Sequence, residues 1–215
     1  MRHVALLLGL GMLVASNPTA LANYQSEFTS PQTNTVTVAP QQLAQVTMEP
    51  ELQQALVYLA QGPGLGALRR IMTMPIKLVF KNMASFGSAY AHYDALAWMS
   101  QQGQLFIFVN QHHRGAPSAA LAALLAHEAM HVDAFNSLQE ETDGWRQEAL
   151  TWAYWQHQHP ALQTPALQES YPLVKRLNTL KQAHLQGTLA ELVRHNAGYA
   201  HLSPQSQAGL AHRYE

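Results

Sequence analysis

The spacing of apolar positions divides the chain into segments. From Glu51, "ELQQALVYLAQ" sets its leucines, valine and alanines three or four residues apart, which predicts an amphipathic helix stopping at Gly62-Pro63-Gly64. Alternation then takes over, and "PIKLVFKNM" (75–83), "SAYAHYDALAWM" (88–99) and "GQLFIFVN" (103–110) predict short strands, the last being the most regular. After Gly115 the period changes again. Pro117 suits the first turn of a helix, and "SAALAALLAHEAMHVDAF" (118–135) consists almost wholly of good helix formers, so a helix is expected to end near Asn136. Ser137 and Glu140 have the spacing of a capping box, which predicts a second helix from there to Pro160. Two or three more helices are expected between Pro165 and His212. Strands first and helices afterwards make an α+β chain, with a short mixed sheet and a mostly helical C-terminal half.

The first residues, "MRHVALLLGLGMLVASNPTALAN", put Arg2 and His3 ahead of an apolar run from Val4 to Val14 and reach an A-x-A site at Ala20-Leu21-Ala22. This predicts a cleavable signal peptide over 1–22 and an exported protein, periplasmic or extracellular. The run falls short of the roughly 20 residues that cross a bilayer, so no membrane anchor is expected after cleavage. Residues 23–50 are rich in Gln, Thr, Asn and Pro and are expected to form a flexible leader, with one domain over 51–215. The chain has 215 residues, of which 47% are hydrophobic, enough for one ordinary core. Its net charge is −1, from 12 Lys and Arg against 13 Asp and Glu, and no basic stripe follows a phosphate backbone, which argues against nucleic-acid binding. There is no cysteine, so no disulfide can brace the fold.

Residues 127–131 read HEAMH. On a helix, His127 and His131 are four apart and share a face, so their imidazoles can converge on one metal ion. Glu128 is rotated by about 100° from His127 and is better placed to reach a water than to become a third ligand. That combination suits hydrolysis, in which a metal acidifies water and a carboxylate takes its proton. The chain has 12 histidines, and a shuffle of its residues would produce this motif roughly once in thirty chains. Context therefore decides between a metal site and two packed, hydrogen-bonded histidines. The motif follows a strand on a predicted helix, in a chain expected to be exported, with an acidic helix downstream.

In these residues, mainly over 104–155, the chain resembles the zincin metallopeptidases, and more narrowly the gluzincins, whose third zinc ligand is a glutamate. The resemblance implies Zn²⁺ held by His127, His131 and a downstream glutamate, Glu128 as general base, and a protein or peptide substrate. It also implies that the strand just before the metal helix, Leu105–Asn110, forms the cleft edge that pairs with extended substrate. Asp133 and Asp143 fit this pattern less well than the glutamates, and Glu140 is assigned to the capping box. Glu141 and Glu148 remain as third ligand. Glu141-x-x-Gly144-Trp145 is similar to the E-x-x-A pattern of several zincins, whereas Trp145-x-Gln147-Glu148-Ala149 is similar to the glutamate-bearing stretch of other gluzincins and has the more usual separation from His131. Glu141 is preferred, and the other glutamate is expected to accept a hydrogen bond from a ligand histidine. A glycine within a helix costs about 1 kcal/mol relative to alanine, so Gly144 implies close approach to the metal helix.

Trp145, Trp152 and Trp155 are assigned to packing. A donor to the developing oxyanion is sought among Arg194, His195, Tyr199 and His201, of which Tyr199 is singled out because the Asn196-Ala197-Gly198 turn could present it. His112 and His113 are read as loop residues near the cleft. The rival readings are a non-catalytic exported zinc-binding protein and a metal-free helical interaction module.

Overall fold

A computed structural model describes residues 36–131 and 136–205. The predicted signal peptide (1–22), Asp133 and the last residues, 206–215, lie outside the described residues.

The structure is α+β. Helices α1 (Pro40–Val46), α2 (Pro50–Leu59) and α3 (Leu65–Thr73) precede strand β1 (Lys77–Lys81). Strands β2 (Ala95–Met99) and β3 (Leu105–Asn110) follow as a hairpin, and α4 (Ser118–Glu128) and α5 (Leu138–Gln158) come next. Helices α6 (Pro165–Ser170), α7 (Pro172–Leu185) and α8 (Leu189–Arg194) complete the helical half. The leader expected over 23–50 is corrected in its last part. Pro40 starts α1, the Gln42 side chain accepts a hydrogen bond from the Ala39 amide at 3.0 Å, and Leu43 and Val46 are buried in the core. Polar composition hid two apolar positions three apart, enough to anchor a short helix.

The sheet order is β1-β3-β2, with β1 parallel and β2 antiparallel to β3. Leu105, Ile107 and Val109 alternate into the core together with Leu78 and Phe80. The cleft-edge role implied for Leu105–Asn110 is therefore corrected. β3 is paired on both sides and has no free backbone edge, whereas β1 and β2, both earlier in the chain, are the edge strands among the described residues.

Helix α4 is apolar around its whole circumference, and every residue from Ala119 to Glu128 is buried. A helix of this kind sits at the centre of a domain rather than on its surface. Each of Leu121, Leu124 and Leu125, fully buried, contributes about 1.5–3 kcal/mol. Helix α5 packs on α4 and carries Trp152, which is fully buried with its Nε1–H donating to Asn178 Oδ1 at 2.9 Å.

Helix α4 does not continue to Asn136. It ends at Glu128 with Ala129 as cap, followed by tighter turns in which the Met130 amide bonds to His127 O (2.8 Å) and the His131 amide to Glu128 O (3.2 Å). The reason comes from α3. Arg70 Nη1 donates to the carbonyls of Ala129 (3.4 Å) and Met130 (3.3 Å), satisfying acceptors that a longer helix would have used itself. Helix α5 is capped by Ser137 as expected, with Ser137 Oγ accepting from the Glu140 amide at 3.1 Å. The capping box is only half made. Asn136 Oδ1 accepts from the Ser137 amide (2.7 Å), which leaves the Glu140 carboxylate free for another partner.

Candidate metal centre

His127 lies in the last turn of α4 and His131 in the turn beyond it, so the two rings are brought together by a tightened helix end rather than by a continuous helix. Their Nε2 atoms are 3.2 Å apart. From the first turn of α5, Glu141 directs Oε2 to 3.4 Å from His127 Nε2 and Oε1 to 3.7 Å from His131 Nε2. Ligand atoms at zinc-bond length, about 2.0–2.1 Å, are separated by roughly 3.3 Å when tetrahedral. The two Nε2 atoms match that spacing, and the Glu141 carboxylate comes close to it through a different oxygen for each histidine. Glu141 Oε2 is buried and has no hydrogen-bond partner, an arrangement that costs free energy unless a cation completes it. Two imidazoles and one carboxylate are also a donor set suited to zinc, so the residues fit the ion that the sequence implies.

Each ring is fixed from behind. His127 Nδ1–H donates to Glu148 Oε2 at 3.2 Å, and His131 Nδ1–H donates to Glu140 Oε1 at 2.8 Å. Both bonds turn Nε2 toward the shared point, the orientation that outer carboxylates impose on metal-binding histidines. Of the two candidate glutamates, Glu141 thus faces the Nε2 atoms and Glu148 the opposite side of His127. Glu140, assigned from sequence to the capping box, is corrected: it takes His131, because Asn136 has replaced it at the Ser137 amide. The Asn136 amide also donates to Glu141 Oε1 and holds that carboxylate in place.

Electrostatics follow this geometry. Burial works to lower the His127 pKa, but the neighbouring carboxylates of Glu141 and Glu148 outweigh burial and raise it to about 10. Burial works to raise the Glu141 pKa, and His127 and His131 bring it down to about 2. Glu128 is buried beside them, and burial lifts its carboxyl above the usual range against the pull of both histidines. A carboxylate raised in this way is suited to take a proton and return it.

The centre opens into a cleft of about 650 Å³, walled on one side by β2 and on the other by His127, Glu128, His131 and Glu141. Tyr199 lines the same cleft. The segment carrying it is tied to the start of α5 by the Leu138 amide, which donates to Ser203 O at 2.9 Å. Tyr199 receives a hydrogen bond from Trp145 Nε1 (3.3 Å), with the rings edge to face. Burial first, then the charge of Glu141, keeps its hydroxyl protonated well above the ordinary phenol range. His201 also lines the cleft, whereas the His195 ring turns back to its own helix at Glu191 O. Trp145, Trp152 and Trp155 are buried, with Trp145 also forming the support of Tyr199. The sequence reading missed Arg176, on α7, which forks onto Glu148 and forms an ion pair with Asp94 at 2.7 Å. No sequence signal links a lone arginine to a glutamate so far back in the chain.

Gly144 explains how α5 comes so near. A Cβ there would lie 2.5 Å from His127 Cδ2 and 2.8 Å from Nε2. Although alanine is the better helix former, Gly144→Ala is expected to lower stability by about 1–3 kcal/mol through this overlap. The urea midpoint should fall with an unchanged slope. A midpoint that stayed level or rose would contradict the close approach.

No protein-family model matches the chain, and neither does any curated protein or solved structure.

Proposed function

We propose that this chain is an exported zinc-dependent peptidase of zincin type, with His127, His131 and Glu141 as ligands. The observation that carries this reading is the convergence of the His127 and His131 Nε2 atoms and the Glu141 carboxylate on one point, each histidine backed by a further carboxylate, with Glu128 buried alongside. Zinc bound there supplies Lewis acidity toward a carbonyl and toward water. Glu128 takes the proton from the attacking water and returns it to the leaving nitrogen. Tyr199 keeps its proton and offers it as a hydrogen bond to the oxyanion that develops on the carbonyl. An extended peptide pairs with the free edge of β2, and Tyr93, Trp98 and Met99, all at least 37% exposed, give the cleft apolar surface for its side chains.

The test is elemental analysis of the purified chain, without an affinity tag, beside a His127→Ala/His131→Ala variant. About one tightly held zinc per chain after exhaustive dialysis, lost in the variant, together with cleavage of a peptide library by the wild type alone, is the expected result. Zinc content that is unaffected by the double substitution would remove the proposed ligand set.

A further inference from the structure

A second group of donors lies outside the HEAMH centre. Asp94, immediately before β2, and His112 and His113, in the short 3-10 turn after β3, point side-chain atoms at one place. His113 Nε2 is 2.7 Å from Asp94 Oδ1 and 3.0 Å from His112 Nε2, and His112 Nε2 is 3.8 Å from the same Asp94 oxygen. These separations bracket the roughly 3.3 Å between donors on a tetrahedral ion at zinc-bond length.

The group is held rigidly. Asn110, at the end of β3, donates from Nδ2 to Tyr93 O (2.8 Å) and Ala91 O (3.3 Å), and its amide donates to Asp94 O (2.8 Å). Its Oδ1 accepts from the His112 amide at 3.4 Å, so one residue fixes both the Asp94 loop and the histidine turn. The other Asp94 oxygen is engaged by Arg176 Nε at 2.7 Å, leaving Oδ1 for the shared point. A part-buried Asp–His hydrogen bond accounts for Asp94 and His113 with a single proton. It does not account for His112, whose ring is 46% exposed and able to face water, yet turns its Nε2 to the same place.

We infer that Asp94, His112 and His113 form a second divalent-cation site, for an imidazole-preferring ion such as zinc, with its remaining positions open to solvent. It shares no ligand with the HEAMH centre. Arg176 draws on the same carboxylate, so the second site is the weaker of the two. An ion there clips the start of the cleft-edge strand to the connection that leads into α4, bracing the cleft wall against the helix that carries His127.

Zinc titration calorimetry of the full chain, with the metal alone, tests this. The wild type should take up two equivalents, and His127→Ala/His131→Ala should keep one. Adding His112→Ala to that variant, which removes a half-exposed ring and leaves Asp94 and Arg176 paired, should weaken the remaining zinc more than about tenfold. In the wild-type background, His112→Ala should remove the weaker equivalent and spare the tighter. The proposal is overturned if His127→Ala/His131→Ala binds no zinc while folded by circular dichroism, or if His112→Ala leaves the residual affinity unchanged. Failure of the peptidase reading looks different: the tight equivalent would survive loss of His127 and His131, or no peptide would be cleaved, whatever His112→Ala does.

Discussion

Glu128→Gln is expected to lower the peptide-cleavage rate by about 10²–10⁴ while leaving bound zinc and thermal stability unchanged. The amide has nearly the volume of the carboxylate and fills the same buried position at the end of α4, so packing is conserved. It cannot accept a proton from water, and it cannot return one to a leaving amine. Because Glu128 is not among the three converging donors, the ligand set stays intact. The loss should fall on kcat, with KM little changed, since an interaction confined to the transition state leaves substrate binding alone. Glu128→Asp, which keeps the charge but shortens the side chain, should fall between the two. A zinc-replete Glu128→Gln enzyme with wild-type turnover would show that Glu128 is not the base. A wild type that binds zinc and cleaves nothing, matched by the variant, would instead favour a zinc carrier.

What the sequence disclosed and what it hid follow from the range of the interactions involved. Strands β1 to β3 and helices α4 and α5 came from period and composition, which are local properties, and Ser137 marked the start of α5 because a cap acts within one turn. Gly144 was legible for a related reason: a glycine in a helix interior needs a cause, and the nearest one is a neighbour that leaves no room for Cβ. The end of α4 was not legible, because Arg70 on a distant helix satisfies the carbonyls there. Sheet order was hidden too. β3 is last of the three in sequence, but it becomes the central strand because it inserts between β2 and β1, and this leaves β1 and β2 as the edges. The same limit applied to Glu140, whose carboxylate was released only when Asn136 took over the Ser137 amide. HEAMH itself was visible as a spacing, whereas the outer carboxylates that aim its rings were brought in by tertiary packing.

Arg176→Leu should be among the most destabilising single changes in the chain, at about 3–5 kcal/mol. Glu148 is fully buried in the wall between α5 and α7, with its carboxylate shared between His127 Nδ1 and the Arg176 guanidinium. Burial opposes the charge on Arg176, but Glu148 and Asp94 together hold it protonated. Removing the guanidinium leaves a carboxylate in a dry position with one imidazole as partner and leaves Asp94 without its cation, whereas an exposed ion pair would cost under about 1 kcal/mol. Urea unfolding should show the loss as a shift in midpoint. Arg176→Lys should retain part of the stability, since an ammonium keeps the charge but cannot bridge two carboxylates with a planar fork. Zinc affinity should fall with it, by about 10–100-fold in Arg176→Leu, because Glu148 is then free to turn and no longer fixes the His127 ring. A loss below about 1 kcal/mol would mean that water reaches Glu148 and that the pair behaves like a surface contact. An unchanged zinc affinity despite the full loss of stability would separate the structural role of Arg176 from the orientation of His127.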